Sequence, residues 1–248
     1  MLVPTRFQFS RSRLIAFLDK LEKADDAARS LYLPPGQPLA RVEDLLRNML
    51  GTDEIPTGLS TLAAGSETGA VVFWGGSRKC LVLPPFPIEE QYLTFGYDVE
   101  PLRYMLQQDF TIGLILIRLG AFAVGVCRGE ELITSKVGTG LVHARHRKGG
   151  SSQHRFERRR EKQIEQFVLR VCSHVQERLG AHSRALDYVI YGGARTTILE
   201  LRKRCSFLLQ FDDRILPPLL DIPEPRQTVL EAAVGKTWST KIVEWREN

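Results

Sequence analysis

Thr111-Ile-Gly-Leu-Ile-Leu-Ile-Arg118, Ala121-Phe-Ala-Val-Gly-Val-Cys127 and Glu131-Leu-Ile-Thr-Ser135 are β-rich runs separated only by Leu119-Gly120 and Arg128-Gly129. Apolar runs of this length bounded by glycine turns predict an antiparallel meander. A polar loop follows from Gly138 to Gly150, and then the period changes. Phe156, Ile164, Phe167, Val168, Val171, Cys172, Val175 and Leu179 recur every three to four residues, one stripe of a helix over Ser152–Leu179. A rod of that length measures roughly 40 Å. Leu186–Tyr191 reads as a strand, Gly192-Gly193 as a turn, Arg195–Arg204 as a helix and Ser206–Phe211 as a further strand. That order predicts a β-α-β unit with a parallel pair, so this half of the chain is expected to be α/β, a mixed sheet with a long helix packed on it.

The remainder reads outward from this core. Leu14, Phe17, Leu18, Leu21, Ala27, Ala28 and Leu31 predict a helix over Leu14–Leu31 with Ser10 as its N-cap. A second helix is expected over Val42–Leu50, stopping at Gly51, with Ser60–Gly69 a loop or short irregular helix. Ala70–Trp74 and Lys79–Leu83 predict a hairpin around Gly75-Gly76-Ser77, and Pro84–Ile88 a crossing segment. Val99–Gln107 is a short helix candidate and Leu216–Pro225 a stiff, proline-rich connector. Leu230, Val234, Trp238, Ile242 and Trp245 predict a last amphipathic helix. The domain boundary is placed where the period resets, giving an α+β domain over 1–94 and an α/β domain with a C-terminal helix over 95–248.

The chain has 248 residues and a net charge of +5, unevenly spread. Between His143 and Lys162 eight Lys/Arg face two acids, a net of +6 that leaves the other 228 residues at −1. A polyanion is the natural partner of such a spot, because clustered cations release phosphate counterions; a solvated charged helix face is the plainer alternative. Apolar stretches fall short of the ~18 residues of a membrane span, and Met1–Arg6 has no apolar signal core, so a cytoplasmic protein without membrane association is expected. Cys80, Cys127, Cys172 and Cys205 are widely spaced, which predicts reduced thiols and no thiolate metal site. His143 and His146 offer two metal ligands but no third follows, so neither metal nor cofactor is expected.

The loop Gly138–Gln153 projects from this framework. Gly149-Gly150 removes Cβ atoms just before the long helix, Ser151 and Ser152 are good caps for its N–H groups, and Gln153 places one neutral amide among cations. An amide donates and accepts at once, so it can orient a water beside an electrophilic carbonyl. A Gly-Ser loop with capping serines is the alternative reading of the same residues. Gly192-Gly193-Ala-Arg195 follows a strand but lacks both the G-x-G-x-x-G pattern and a Walker lysine, and reads as a plain β–α turn. Ser151 or Ser152 beside His154 is not a nucleophile pair, because the G-x-S-x-G elbow is missing.

Gly149-Gly150-Ser151-Ser152-Gln153-His154-Arg155-Phe156-Glu157-Arg158-Arg159-Arg160-Glu161 resembles the GGQ loop and following helix of archaeal and eukaryotic class I peptide chain release factors. It is more similar still to their ribosome-rescue relatives, the Vms-type peptidyl-tRNA hydrolases. Ser30–Pro35, Gly69–Gly75, Pro85–Ile88, Tyr97-Asp98, Glu100–Leu102 and Gly113–Ile117 recur in order in release-factor N-terminal and central domains. Two serines separate the glycines from Gln153, as in the rescue branch, and no stop-codon-reading motif is recognisable between Gln37 and Gly69.

The resemblance implies a release-factor-like N-terminal domain followed by an RNase H-like central domain with an exposed GGQ-like loop. It implies a monomeric, codon-independent rescue factor acting at the peptidyl-transferase centre of the large ribosomal subunit on peptidyl-tRNA. Gln153, Gly149 and Gly150 would be catalytic; Arg145, His146, Arg147, Lys148, Arg155, Arg158, Arg159 and Arg160 would contact ribosomal RNA and tRNA. Two alternatives remain: cleavage of the tRNA 3′ end with His143, His146 or His154 as acid or base, and a non-catalytic ribosome- or tRNA-binding module.

Overall fold

The computed structural model describes residues 2–23, 27–76, 78–142 and 153–247. In chain order the first stretch forms β1 (Leu2–Phe9), α1 (Arg11–Glu22), β2 (Arg29–Leu33), α2 (Leu39–Leu50), α3 (Leu59–Ala64), β3 (Ala70–Trp74), β4 (Lys79–Leu83), β5 (Tyr92–Phe95) and α4 (Glu100–Gln107). The second forms β6 (Thr111–Arg118), β7 (Ala121–Arg128), β8 (Glu131–Thr139), α5 (Gln153–Gly180), β9 (Tyr188–Gly193), α6 (Arg195–Arg204), a 3-10 segment (Ser206–Arg214) and α7 (Gln227–Thr237). β10 (Thr240–Glu247) then returns to the first sheet. Two compact units result: Met1–Gln108 with Lys236–Asn248, and Asp109–Gly235. The protein is thus mixed α/β with two sheets.

The first unit is an antiparallel sheet in the order β1-β10-β4-β3-β2-β5, covered on both faces. Side chains alternate along a strand, so Val71, Phe73, Val82 and Ile242 enter one core with Leu14, Leu18, Leu102 and Leu106 of α1 and α4. Val72, Leu81, Val243 and Trp245 enter the other with Val42, Leu46 and Leu59 of α2 and α3. Burial on both faces explains why β3 and β4 read as continuous apolar runs rather than alternating ones. Ser10 caps α1, its hydroxyl accepting from the Arg13 amide at 3.4 Å, and Gly51 ends α2 at φ +68°.

Local pattern and structure part company in three places. The helix expected to reach Leu31 ends at Glu22, and Arg29–Leu33 is strand β2. There Leu31 and Leu33 serve one core and Tyr32 the other, an alternation enforced by β3 on one side and β5 on the other. β5 and α4 therefore belong to the first unit, beyond the boundary set at 94/95. Tyr92 stacks on Tyr32 with centroids 4.7 Å apart, and the Tyr32 hydroxyl donates to the Asp98 carbonyl at 2.7 Å. The last helix stops at Thr237, and the residues read as its second half form β10 between β1 and β4.

Gly69 precedes β3 at φ +83°, where a Cβ would lie 2.3 Å from the Leu33 carbonyl oxygen. Gly69→Ala combines a left-handed backbone with a backbone clash, so a loss of about 2 kcal/mol or more is expected. Urea denaturation of the full chain measures it, and an unchanged midpoint would refute the close approach.

The second unit has the order β8-β7-β6-β9, with β8, β7 and β6 antiparallel and β6 parallel to β9. The meander and the helix α5 lie where the sequence predicts them. Ser206–Arg214, predicted in part as a strand, is 3-10 helix. The parallel partner of β9 is therefore β6, reached across α5. The proline-rich connector borders β9: Leu216 N–H donates to the Val189 carbonyl and Leu220 N–H to the Tyr191 carbonyl, both at 2.9 Å. Prolines suit such a sheet margin, where a missing donor is tolerated.

The expectation of four reduced thiols is corrected. Cys172 of α5 and Cys205 after α6 form a disulfide, while Cys80 and Cys127 are free and buried. Helix packing brings Cα atoms 33 residues apart to 5.5 Å, a proximity that spacing along the chain does not reveal. Burial pushes the Cys127 thiol up to about 12 and raises the Cys80 thiol as well. Alkylation requires the thiolate, so at pH 8 iodoacetamide is expected to spare both in the folded protein and to label both in urea. Mass spectrometry reads this directly, and rapid native labelling would contradict the burial.

Candidate functional site

The candidate site is organised by α5. Its inner stripe, Phe167, Val168, Val171, Cys172, Val175 and Leu179, is buried against Ile115, Ile117, Phe122, Val124 and Val126 of the sheet. Phe122 contacts the helix two turns apart on one face, with its ring 6.3 Å from Phe167 and stacked on His174 at 5.3 Å. Arg178 donates to the Thr134 hydroxyl of β8 at 3.3 Å. Two ties bind α5 to α6, the Cys172–Cys205 disulfide and the Glu165–Arg204 ion pair at 2.7 Å. Among the described residues the first fully buried side chain of α5 is Phe167, fourteen positions after Gln153. At 1.5 Å per residue that is about 21 Å of helix ahead of the main anchor. Phe156, read from the sequence as part of the apolar stripe, is 55% exposed, and Ile164 is the first apolar residue that packs on the core.

The charged residues of this leading stretch divide by helical register. Arg155, Arg158, Arg159 and Lys162 are exposed, and among the described residues none has a carboxylate partner. Their spacing of three, four and seven puts them on one face. Arg160 is half-buried and engaged within the protein. It shares the register of Ile164, Phe167 and Val171, a signal that separates it from the other arginines. Lys162, which the sequence reading left out of the candidate set, joins the free cations instead.

This arrangement opposes the stability of the helix start. The first turn holds no acid, although the N-terminal end of a helix favours negative charge by about 0.3–1 kcal/mol. Like charges four apart, Arg155 with Arg159 and Arg158 with Lys162, cost a further 0.2–0.5 kcal/mol or so per pair. A bound polyanion offsets both terms, which a merely solvated face leaves uncompensated.

Gln153 is the first residue of α5 and by its spacing of seven, eleven and fourteen shares the register of Arg160, Ile164 and Phe167, not that of the cationic face. Gly149, Gly150, Ser151, Ser152, Arg145, His146, Arg147 and Lys148 lie outside the described residues, as does His143. Among the described residues no cluster of three His, Cys, Asp or Glu is placed to hold a metal ion, and no helix is long and apolar enough to cross a membrane.

Comparison with known proteins bears on what this scaffold belongs to. The family model described as Actinobacteria/chloroflexi VLRF1 release factor matches residues 110–243, more than half of the chain. The chain is 28% identical to peptide chain release factor subunit 1 of Aeropyrum pernix, over 96% of this chain and 72% of that protein. It is 26% identical to the same factor of Archaeoglobus fulgidus, over 77% of this chain and 54% of that one. For Methanococcoides burtonii the figures are 28%, 83% and 56%. It thus spans about half the length of the latter two. Among solved structures, the archaeal translation termination factor aRF1 aligns over 93% of this chain and 73% of that one, with a TM-score of 0.41 and 22% identity. Archaeoglobus fulgidus Pelota aligns over 87% and 66%, with a TM-score of 0.29 and 11% identity. With a family model that covers the meander, the long cationic helix and the parallel strand behind it, the chain belongs to the Actinobacteria/chloroflexi VLRF1 release factor family.

Proposed function

We propose that this protein is a codon-independent ribosome-rescue factor of the Vms-type branch, which frees nascent chains by hydrolysing peptidyl-tRNA. The observation that carries the reading is the position of Gln153 as the first residue of α5, at the start of the helix whose leading turns carry the exposed, unpaired cations. Arg155, Arg158 and Arg159, with Arg145, His146, Arg147 and Lys148 of the preceding loop, bind phosphates of ribosomal RNA and the tRNA acceptor end. Gly149 and Gly150 leave room for the tip in the peptidyl-transferase centre of the large subunit, and Ser151 and Ser152 cap the helix behind it. The protein acts as a monomer in the cytoplasm.

In the proposed reaction a water oxygen bonds to the ester carbonyl carbon. The bond from that carbon to the ribose oxygen breaks, and the leaving oxygen takes a proton to become the terminal tRNA hydroxyl. The Gln153 amide accepts from the water and donates toward the carbonyl region, so it positions without gaining or losing a proton. Most of the gain comes from orientation, which in favourable cases lowers a barrier by about 7–11 kcal/mol. The chemistry needs no cofactor. The test is incubation with ribosome-bound peptidyl-tRNA, wild type against Gln153→Ala, reading released peptide and the tRNA 3′ end. An intact CCA terminus is expected; a shortened one would replace ester hydrolysis with nucleolytic release.

A further inference from the structure

Helix α5 sorts its charges by side. Glu157, Glu161 and Glu165 recur every four residues and so share one side. Glu165 sets that side against α6 through its 2.7 Å ion pair with Arg204. On the other side Arg159, Gln163, Arg170 and His174 recur at four, seven and four residues, and Arg178 follows four later. Three contacts lay this row along β8. A Cβ on Gly140, just past the strand, would lie 2.7 Å from Nη2 of Arg170. The His174 ring stacks on Phe122, and a Cβ on Gly138 would lie 2.6 Å from the same Phe122 ring. Arg178 donates to the Thr134 hydroxyl at 3.3 Å. Side chains alternate along a strand, so Lys136, between Thr134 and Gly138, stands on the face that carries the row.

Most of this charge is not neutralised within the protein. Arg178 is the exception: with His174 it holds Glu177, at 2.9 and 3.2 Å, the one acid in the register of the row. Arg159 and Arg170 are exposed and Lys136 is half-buried, and among the described residues none of the three forms an ion pair. Neither Arg159 nor Arg170 has an acid three or four residues away, the pairing by which a solvated helix face balances its charge. Glu131, the one acid of β8, lies at the other end of the strand, in register with Arg128. β8 is also the last strand of its sheet and pairs with β7 alone among the described residues. Its outward amides are donors for a further acceptor.

We propose that this margin, the β8 side of α5 together with β8, is a docking surface for the sugar–phosphate backbone of ribosomal RNA. Charge complementarity sets the class of partner: a row of unpaired cations beside open strand amides matches a row of phosphates. The proposal rests on the function proposed above, and that reading sets the source. When Gln153 enters the large subunit, the body of α5 follows it. Arg170, seventeen residues behind Gln153, stands about 26 Å from the tip, beside the wall of the entry path and far from the reacting tRNA end. Arg159, Arg170 and Lys136 make the phosphate contacts, and the side that carries Glu157, Glu161 and Glu165 is turned away from the RNA.

The test is pelleting of the full chain with purified large ribosomal subunits over a series of salt concentrations. Arg170→Gln, at an exposed position, is expected to weaken binding roughly threefold to fivefold and to reduce the salt slope by about one. Lys136→Gln is expected to do the same, and Arg170→Lys, which keeps the charge, to bind within about twofold of wild type. Lys203→Gln removes an exposed cation from α6, on the opposite side, and is expected to leave binding unchanged. Equal losses for Lys203→Gln and Arg170→Gln would make the attraction one of overall charge and overturn the docking surface. A loss with Arg170→Lys as large as with Arg170→Gln would assign Arg170 to packing on Gly140 and overturn its phosphate contact. If Arg155→Gln weakens binding while Arg170→Gln and Lys136→Gln do not, the surface is wrong and the RNA-binding reading stands. If the wild type does not pellet with the subunits, both fall. Free tRNA provides the last arm: weaker tRNA binding by Arg170→Gln and Lys136→Gln, with subunit binding unchanged, would overturn the assignment to ribosomal RNA.

Discussion

Gln153→Ala is expected to reduce peptide release from stalled complexes by roughly two to three orders of magnitude, the usual effect of losing one preorganised hydrogen-bonding group at a reacting carbonyl. Ribosome affinity is expected to stay within about twofold, because phosphate contacts supply most of the binding free energy and the amide is neutral. Gln153→Asn separates positioning from chemistry. It keeps the amide and withdraws it by one methylene, and a misplacement of about 1 Å can cost 100-fold. Release is therefore expected to fall for Asn nearly as far as for Ala. A single-turnover release assay beside a ribosome pelleting assay measures both quantities. Release by the Ala variant at the wild-type rate would remove Gln153 from the chemistry, and loss of binding would make it an anchoring residue.

Phe167→Ala is expected to destabilise the second unit by about 3–5 kcal/mol, the range for a large aromatic removed from a core. Phe167 is 1% exposed, packs on Phe122, and closes over Gly140, where a Cβ would lie 2.5 Å from its ring. Phe156→Ala, on the same helix, is expected to change stability by no more than about 0.5 kcal/mol, because its ring is more than half exposed. The pair tests the register of α5 directly. Denaturation has to be followed with a probe in the second unit, since a chain of two compact units need not unfold in one step. Equal losses for the two variants would contradict the assigned face of the helix, and with it the outward stripe Arg155, Arg158, Arg159 and Lys162.

Elements whose stability is decided by neighbours in sequence were legible. α2 with its Gly51 cap, the β3–β4 hairpin, the β6–β7–β8 meander and α5 follow from turn chemistry and apolar period over short windows. Elements decided by distant partners were not. Ala27, Ala28 and Leu31 continue the spacing of α1, yet strands β3 and β5 claim Arg29–Leu33. Trp238, Ile242 and Trp245 are spaced as if on a helix, yet Thr240, Ile242 and Val243 are β-branched and pair with strands more than 150 residues earlier in the chain. Backbone hydrogen bonds offered by a sheet outweigh a periodicity signal carried by three or four side chains.

The candidate site divides in the same way. The cationic segment and Gln153 are evident from charge and motif, since both are properties of consecutive residues. Which cations are free is a matter of register and packing: Arg160 is half-buried and engaged within the protein, and Lys162 remains exposed with Arg155, Arg158 and Arg159. The Cys172–Cys205 pairing arises only when α5 and α6 pack together. By itself, then, the sequence determined the class of each locally stabilised element and the chemical character of the loop-to-helix segment. The tertiary structure decided strand partners, the extent of each unit and which charges lack a counter-ion, because each of these depends on desolvation and contact between residues far apart along the chain.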